Sequence, residues 1–228
     1  MFFFDWTYIL LIPAIIFTLY AQMKVQSTFN RYLEVPAASG VSGAQVAREL
    51  LDRNHLRDVP VELTPETLSD HYDPRSRVLR LSPEVYHGRS LASLGVAAHE
   101  TGHAIQHAHA YAPLAIRNSI FPIASFGSNL GYILFFMGFL FHGSFLIDLG
   151  IILFSFFVFF TLVTLPVEFN ASNRGLAMLA ESGYLSRGDE LHGAKRVLSA
   201  AAMTYLASAS MAILQLLRML LLRGNRDD

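Results

Sequence analysis

The sequence predicts a mainly α-helical, membrane-embedded protein with a small β-sheet beside one of its helices. Three observations carry this. The chain is 53% hydrophobic and only 15% charged, a balance unlike that of an ordinary soluble domain. Its apolar residues gather into four uncharged runs, each near the ~20 residues a helix needs to cross a bilayer. Between the first two runs, residues 24–117 carry ten basic and ten acidic residues and mix helical with extended patterns.

Taken in order, residues 7–23 (TYILLIPAIIFTLYAQM) complete an N-terminal anchor spanning 1–23. No basic residues precede this run and no clear small-x-small site follows it, so it does not read as a cleaved signal. In GVSGAQVARELLDRN, Ser42 suits a helix cap, and Val46, Leu50 and Leu51 form an apolar stripe. VPVEL (59–63) reads as a short strand and SDHYDPRSR as a turn, where Asp70 and Asp73 can brace the backbone. Residues 76–81 read as extended, and Pro83 ends them. A long helix then starts near Ser90 and runs through VAAHETGHAIQ, with Pro113 at or beyond its end. The uncharged runs 118–141 and 149–167, joined by FHGSFLID, form a membrane hairpin over 118–167. Polar character returns over 168–196, and 197–222 holds a fourth run, rich in Ala and Ser, expected to span.

Charge and composition exclude several classes. A net charge of -1 offers no field to attract nucleic acid. Without cysteine there are no disulfides, thiolate sites or Cys nucleophiles, so a metal must be held by His and carboxylates. A hairpin returns the chain to the side it left, which lets 24–117 and 168–196 share one face. These regions hold ten and four Lys or Arg, whereas the N-terminal tip and hairpin loop hold none. The positive-inside bias puts both polar regions in the cytoplasm. Arg218, Arg223 and Arg226 run against that bias, since they would lie outside if the fourth run spans.

The chemistry concentrates in VAAHETGHAIQHAHAY. His99 and His103 lie four apart on the predicted helix, which stacks both imidazoles on one face where they can share a Zn²⁺ ion. Glu100 adjoins them, placed to take a proton from zinc-bound water and pass it to a leaving amine. His109 has the spacing of a third ligand in HExxHxxGxxH, but position 106 is Gln instead of the glycine that would let the chain turn back. On a continued helix His109 lies about 15 Å from His99 and His107 about 12 Å, too far to share one metal. A carboxylate from another helix is the alternative. Glu168 stands where the third apolar run ends, and a carboxylate there is costly unless solvated or paired. Glu181 and Asp148 compete for the role.

The chain resembles the neutral zinc metallopeptidase family, the small membrane-bound bacterial peptidases of YugP type. The resemblance rests on SDHYDPRSRVLRLSPEVY, VAAHETGHAIQHAHAYAPLAIRNSIFP, LPVEFNASNRGL and AKRVLSAAAMTYLA, and covers almost the whole chain. It implies a zincin-like fold of gluzincin type in a bacterial cell membrane. It also implies one catalytic Zn²⁺ held by His99, His103 and Glu168, with Glu100 as catalytic base. A more distant likeness to membrane peptidases of the HtpX and CAAX-processing type implies ExxxD on the Glu helix. Ser172 stands at the matching place, and its hydroxyl can hydrogen-bond an imidazole.

The expected reaction is hydrolysis of peptide bonds in a peptide or membrane-protein substrate near the bilayer, by Glu100-assisted attack of zinc-bound water. The tetrahedral oxyanion needs a donor besides the metal, and Tyr205, His71, His192 and Arg174 are candidates. The extended segment 76–81 is a candidate to pair with substrate backbone. A metal transporter or sensor is a rival reading, but it should place ionisable residues inside the clear spans, which have none. An inactive scaffold or chaperone that kept the fold is another. The sequence sets no oligomeric state and names no substrate.

Overall fold

The structure, a computed structural model, describes residues 6–185 and 188–227, with side chains to 224. The first five residues of the expected anchor, Arg187 and the side chain of Arg226 lie outside the described residues. Helices α1 (Ile12–Leu33), α2 (Gly43–Arg53), α3 (Pro83–Tyr86), α4 (Leu91–Ala108), α5 (Ala112–Leu140), α6 (Ser144–Glu181) and α7 (Gly188–Asp227) account for most of the chain. A 3-10 turn over Trp6–Leu11 leads into α1. Strands β1 (Val61–Leu63), β2 (His71–Asp73) and β3 (Val78–Leu81) form one small sheet. Among the described residues, four helical stretches are long and apolar enough to cross a membrane: Trp6–Leu33, Ala112–Leu140, Ser144–Glu181 and Gly188–Gly224.

The chain divides into two compact units. The first comprises Met1–Gln22, Ala115–Pro166 and Thr204–Asp228. Its core is built from Phe135, Ile147, Phe154, Val158, Ala212 and Met219. Phe126, Phe141, Phe145, Ile133 and Ile152 are exposed. So many bare aromatic and branched side chains would aggregate in water and suit a lipid surface. A tight turn joins α5 to α6, closed by hydrogen bonds from Phe141 N to Met137 O and Gly143 N to Gly138 O. Two of the three arginines that ran against the charge bias have partners in this unit. Arg218 is 4% exposed, donates to Thr7 and lies 3.8 Å over the Tyr8 ring, and Arg223 pairs with Asp148. Asp148 is thus engaged by an arginine.

The second unit comprises Met23–Leu114 and Val167–Met203. Ser42 starts α2 with a reciprocal capping box to Gln45, and Val46, Leu50 and Leu51 are fully buried, as the apolar stripe requires. Ser90 caps α4 by accepting from Ser93 N. In the sheet the order is β1-β3-β2, with β1 parallel and β2 antiparallel to β3. The segment expected to pair with substrate is therefore the central strand, whose ladders are already used on both sides. Within SDHYDPRSR only the second half is a turn, since His71–Asp73 form the edge strand β2. Asp73 braces that turn by accepting from Arg75 N and Ser76 Oγ, and Asp70 accepts from Ser82 N and Oγ.

One helix boundary differs from the sequence expectation. α4 does not continue through AIQHAHAY: His109 is its C-cap, and Ala110 takes a left-handed φ of 48° that turns the chain into α5. Pro166 lies inside α6. A proline removes one intrahelical donor, and the rest of the long helix tolerates the loss.

Candidate active site

Three side chains meet in the second unit. His99 and His103 project from one face of α4, and Glu168 reaches them from α6. The helices can come this close because glycines sit at the crossing. A Cβ on Gly102 would lie 2.6 Å from the Ala171 carbonyl oxygen, and one on Gly175 would lie 2.9 Å from Ala98 backbone atoms. Any larger residue would push α4 and α6 apart and carry the carboxylate out of reach.

The donor atoms fit a tetrahedral metal. Glu168 Oε2 lies 3.4 Å from His99 Nε2 and 3.5 Å from His103 Nε2. A direct charge-assisted hydrogen bond would be about 2.7–2.9 Å. Two ligands about 2.1 Å from a common tetrahedral zinc are instead about 3.4 Å apart. Glu168 is 4% exposed, and a buried carboxylate is retained where cations or hydrogen-bond donors compensate its lost hydration. Both imidazoles and this carboxylate suit a single catalytic Zn²⁺.

Hydrogen bonds lie behind both imidazoles, and that of His103 sets its tautomer. His103 Nδ1 lies 3.0 Å from Gln106 Oε1. Gln106 Nε2 donates to Val167 O at 2.8 Å and Asn170 Oδ1 at 3.0 Å, so its Oε1 can only be the atom facing the histidine. His103 must then carry its proton on Nδ1 and present a bare Nε2. Arg174 Nε donates to the same Asn170 oxygen at 2.7 Å. His99 Nδ1 lies 3.0 Å from Ser172 Oγ, one helical turn beyond Glu168. Ser172 thus has the position that the ExxxD comparison suggested.

Gln106 and Asn170 were not legible as functional residues. Gln106 stood out only as the missing glycine of a different ligand spacing. It is in fact fully buried and ties the histidine helix to the glutamate helix.

Glu100 lies on the sheet side of α4. Its Oε2 accepts from Tyr72 N at 3.0 Å, so β2 runs beside it. Burial raises its pKa from an ordinary 4.5 to about 7, and the nearby His99 acts in the opposite direction. Leu79 N donates to Pro60 O, away from β2, so the facing pair Tyr72–Leu79 is not directly hydrogen-bonded. The N–H and C=O of Tyr72 both point outward from the sheet edge.

The remaining candidates are scattered. His71 opens β2 with an exposed ring whose Nδ1 donates to Ser69 O at 2.7 Å. His107 Nδ1 lies 2.9 Å from the Tyr72 hydroxyl, and His109 is an exposed helix cap. His192 accepts from Arg196 on α7. Tyr205 is half-buried on α7 in the other unit, and Glu181 is the exposed last residue of α6.

Two histidines one helical turn apart, facing a glutamate from a second long helix, define a membrane-embedded zinc metallopeptidase of the HExxH-plus-distant-glutamate type. Comparison with known proteins agrees. The chain belongs to the neutral zinc metallopeptidase family, whose model, described as "Putative neutral zinc metallopeptidase", matches residues 7–224. It is 49% identical over 219 residues to the "Putative membrane protease YugP" of Bacillus subtilis (strain 168), covering 96% of this chain and 97% of that protein. No solved structure matches the chain.

Proposed function

We propose that this protein is an endopeptidase that cleaves peptide or membrane-protein substrates near the cytoplasmic membrane surface, with His99, His103 and Glu168 as ligands and Glu100 as general base. The observation that carries this is the placing of Glu100 beside the ligand pair with one oxygen fixed by Tyr72 N. A site used only to bind metal has no need of that carboxylate. When bound, zinc supplies Lewis-acid polarisation of the scissile carbonyl and acidifies the attacking water. Glu100 accepts the proton of that water and delivers it to the leaving amine. Its buried setting holds it near neutral affinity for a proton, as a base and acid working in turn requires.

Substrate orientation follows from the sheet edge. An extended peptide lying along β2 would donate a main-chain hydrogen bond to the outward-facing carbonyl of Tyr72, which sets the bond to be cut beside Glu100. His71, the preceding residue, is the favoured second donor to the oxyanion. Its Nδ1 proton is committed to Ser69 O, so it can donate from Nε2 only as the imidazolium. Placement near the membrane surface rests on the chain, in which Glu168 directly follows the third uncharged run. The cytoplasmic orientation rests on the concentration of Lys and Arg in 24–117 and 168–196.

The test compares purified wild type and Glu100→Gln for zinc content and for cleavage of a fluorogenic peptide panel in detergent. Retained zinc with cleavage lost by at least a thousandfold supports the reading. Undiminished cleavage by Glu100→Gln overturns it.

A further inference from the structure

Away from the zinc site, the second unit has a basic cleft of 330 Å³ between the later part of α1 and the start of α7. Lys24 and Arg31 line it from α1, and Lys195 and Arg196 from α7. Four of the chain's 17 Lys and Arg are thus gathered in a protein of net charge -1. Among the described residues no carboxylate lines the cleft, and none of the four cations forms an ion pair. Like charges held together without counter-charge repel, and an anion relieves that cost.

The cleft is also ordered. Arg196 Nε donates to His192 at 3.0 Å and its Nη1 to the Tyr32 hydroxyl at 3.4 Å. The Arg31 guanidinium lies 5.8 Å from the Tyr32 ring centroid. Tyr32 can lie against α7 because residue 193 is glycine, where an added Cβ would come 2.9 Å from the ring. The other guanidinium N–H groups and both ammonium groups remain for a ligand. Planar forks beside point charges suit phosphate oxygens.

Chain position separates the two sources of phosphate. Lys24 directly follows the first uncharged run, and Lys195 and Arg196 directly precede the fourth. Groups in those places lie at the headgroup level of a bilayer. Further along α7 the cleft is lined by Ala200 and Met203, apolar residues of the fourth run that acyl chains can cover. We infer that this cleft binds the phosphate headgroup of an anionic membrane lipid.

The experiment uses the full-length zinc-loaded protein in neutral detergent. Binding is read by native mass spectrometry and melting temperature, with mixed micelles of phosphatidylglycerol or phosphatidylcholine, or with inorganic phosphate. Phosphatidylglycerol is expected to bind and raise the melting temperature, whereas phosphatidylcholine and inorganic phosphate leave it unchanged. A Lys24→Gln/Lys195→Gln double variant should bind phosphatidylglycerol on the order of 25-fold more weakly, at about fivefold per charge removed. Its zinc content should be unchanged. Arg196→Gln, measured by mass spectrometry alone, gives a second reading if the double variant expresses poorly. Equal binding of the two lipids, an equal shift with inorganic phosphate, or unaltered affinity in both variants would overturn the inference.

Discussion

Replacing Gln106 tests whether the buried amide behind His103 organises the metal site. Gln106→Met keeps the length of the side chain and removes its hydrogen bonds to His103, Val167 and Asn170. His103 then loses the acceptor that keeps its proton on Nδ1, and the imidazole can rotate or present its protonated nitrogen to the metal. Removing such a partner costs about 10–100-fold in metal affinity, or about 1.4–2.7 kcal/mol. A further ~1–3 kcal/mol of folding stability is expected, because buried polar groups on both helices lose a partner. Gln106→Glu separates the two effects. A carboxylate still accepts from His103 Nδ1 but cannot donate to Val167 O or Asn170 Oδ1. Zinc affinity should therefore recover to within about threefold of wild type, while the apo protein melts early. The assay is zinc competition against a chromophoric chelator, run beside thermal melts of the apo proteins in detergent. Zinc affinity of Gln106→Met within twofold of wild type would refute the reasoning.

Other perturbations probe separate contacts. Ser172→Ala removes the hydroxyl behind His99 and should weaken zinc about tenfold with little change in apo stability. Gly102→Val should abolish zinc binding, since its side chain meets the Ala171 carbonyl; zinc titration and melting both report it. Glu100→Gln should change the pH dependence of apo stability. The folded-state pKa of Glu100 is raised from 4.5 to about 7, so the native protein holds the extra proton between those values. Wild-type apo protein therefore loses stability as pH rises through that window, by up to about 3 kcal/mol. The variant should not show that loss in melts at pH 4.5 and 8. His109→Ala should leave zinc affinity unchanged, because the side chain is an exposed cap beyond the last turn of α4.

The parts of this protein that were legible in sequence are those governed by local spacing. Four-residue separation put His99 and His103 on one face, Ser42 and Ser90 announced helix starts, and uncharged runs announced the long helices. Glu168 was legible because a carboxylate at the end of an apolar run needs a partner. What stayed hidden depends on which elements meet. Gln106 has no local signal, since an amide on a helix reads as surface until the second helix is known. The glycines at 102 and 175 matter only at a crossing that the sequence does not draw. His71–Asp73, flanked by Asp70 and Pro74, reads as a turn because its extended form depends on β3. For the same reason 76–81 was expected to be an accessible strand, although β1 and β2 enclose its strand portion, Val78–Leu81. The end of α4 was misplaced because Ala110 adopts a left-handed conformation that alanine rarely takes.

X-ray absorption at the zinc edge, on wild type and Glu168→Ala, tests the ligand set most directly. Wild type should hold one zinc per chain with two imidazole ligands and oxygen donors completing a tetrahedral shell. Glu168→Ala should keep the two-imidazole signature only at saturating zinc, with affinity lowered at least a hundredfold. A third imidazole in wild type, or unchanged affinity and shell without Glu168, would contradict the assignment of His99, His103 and Glu168.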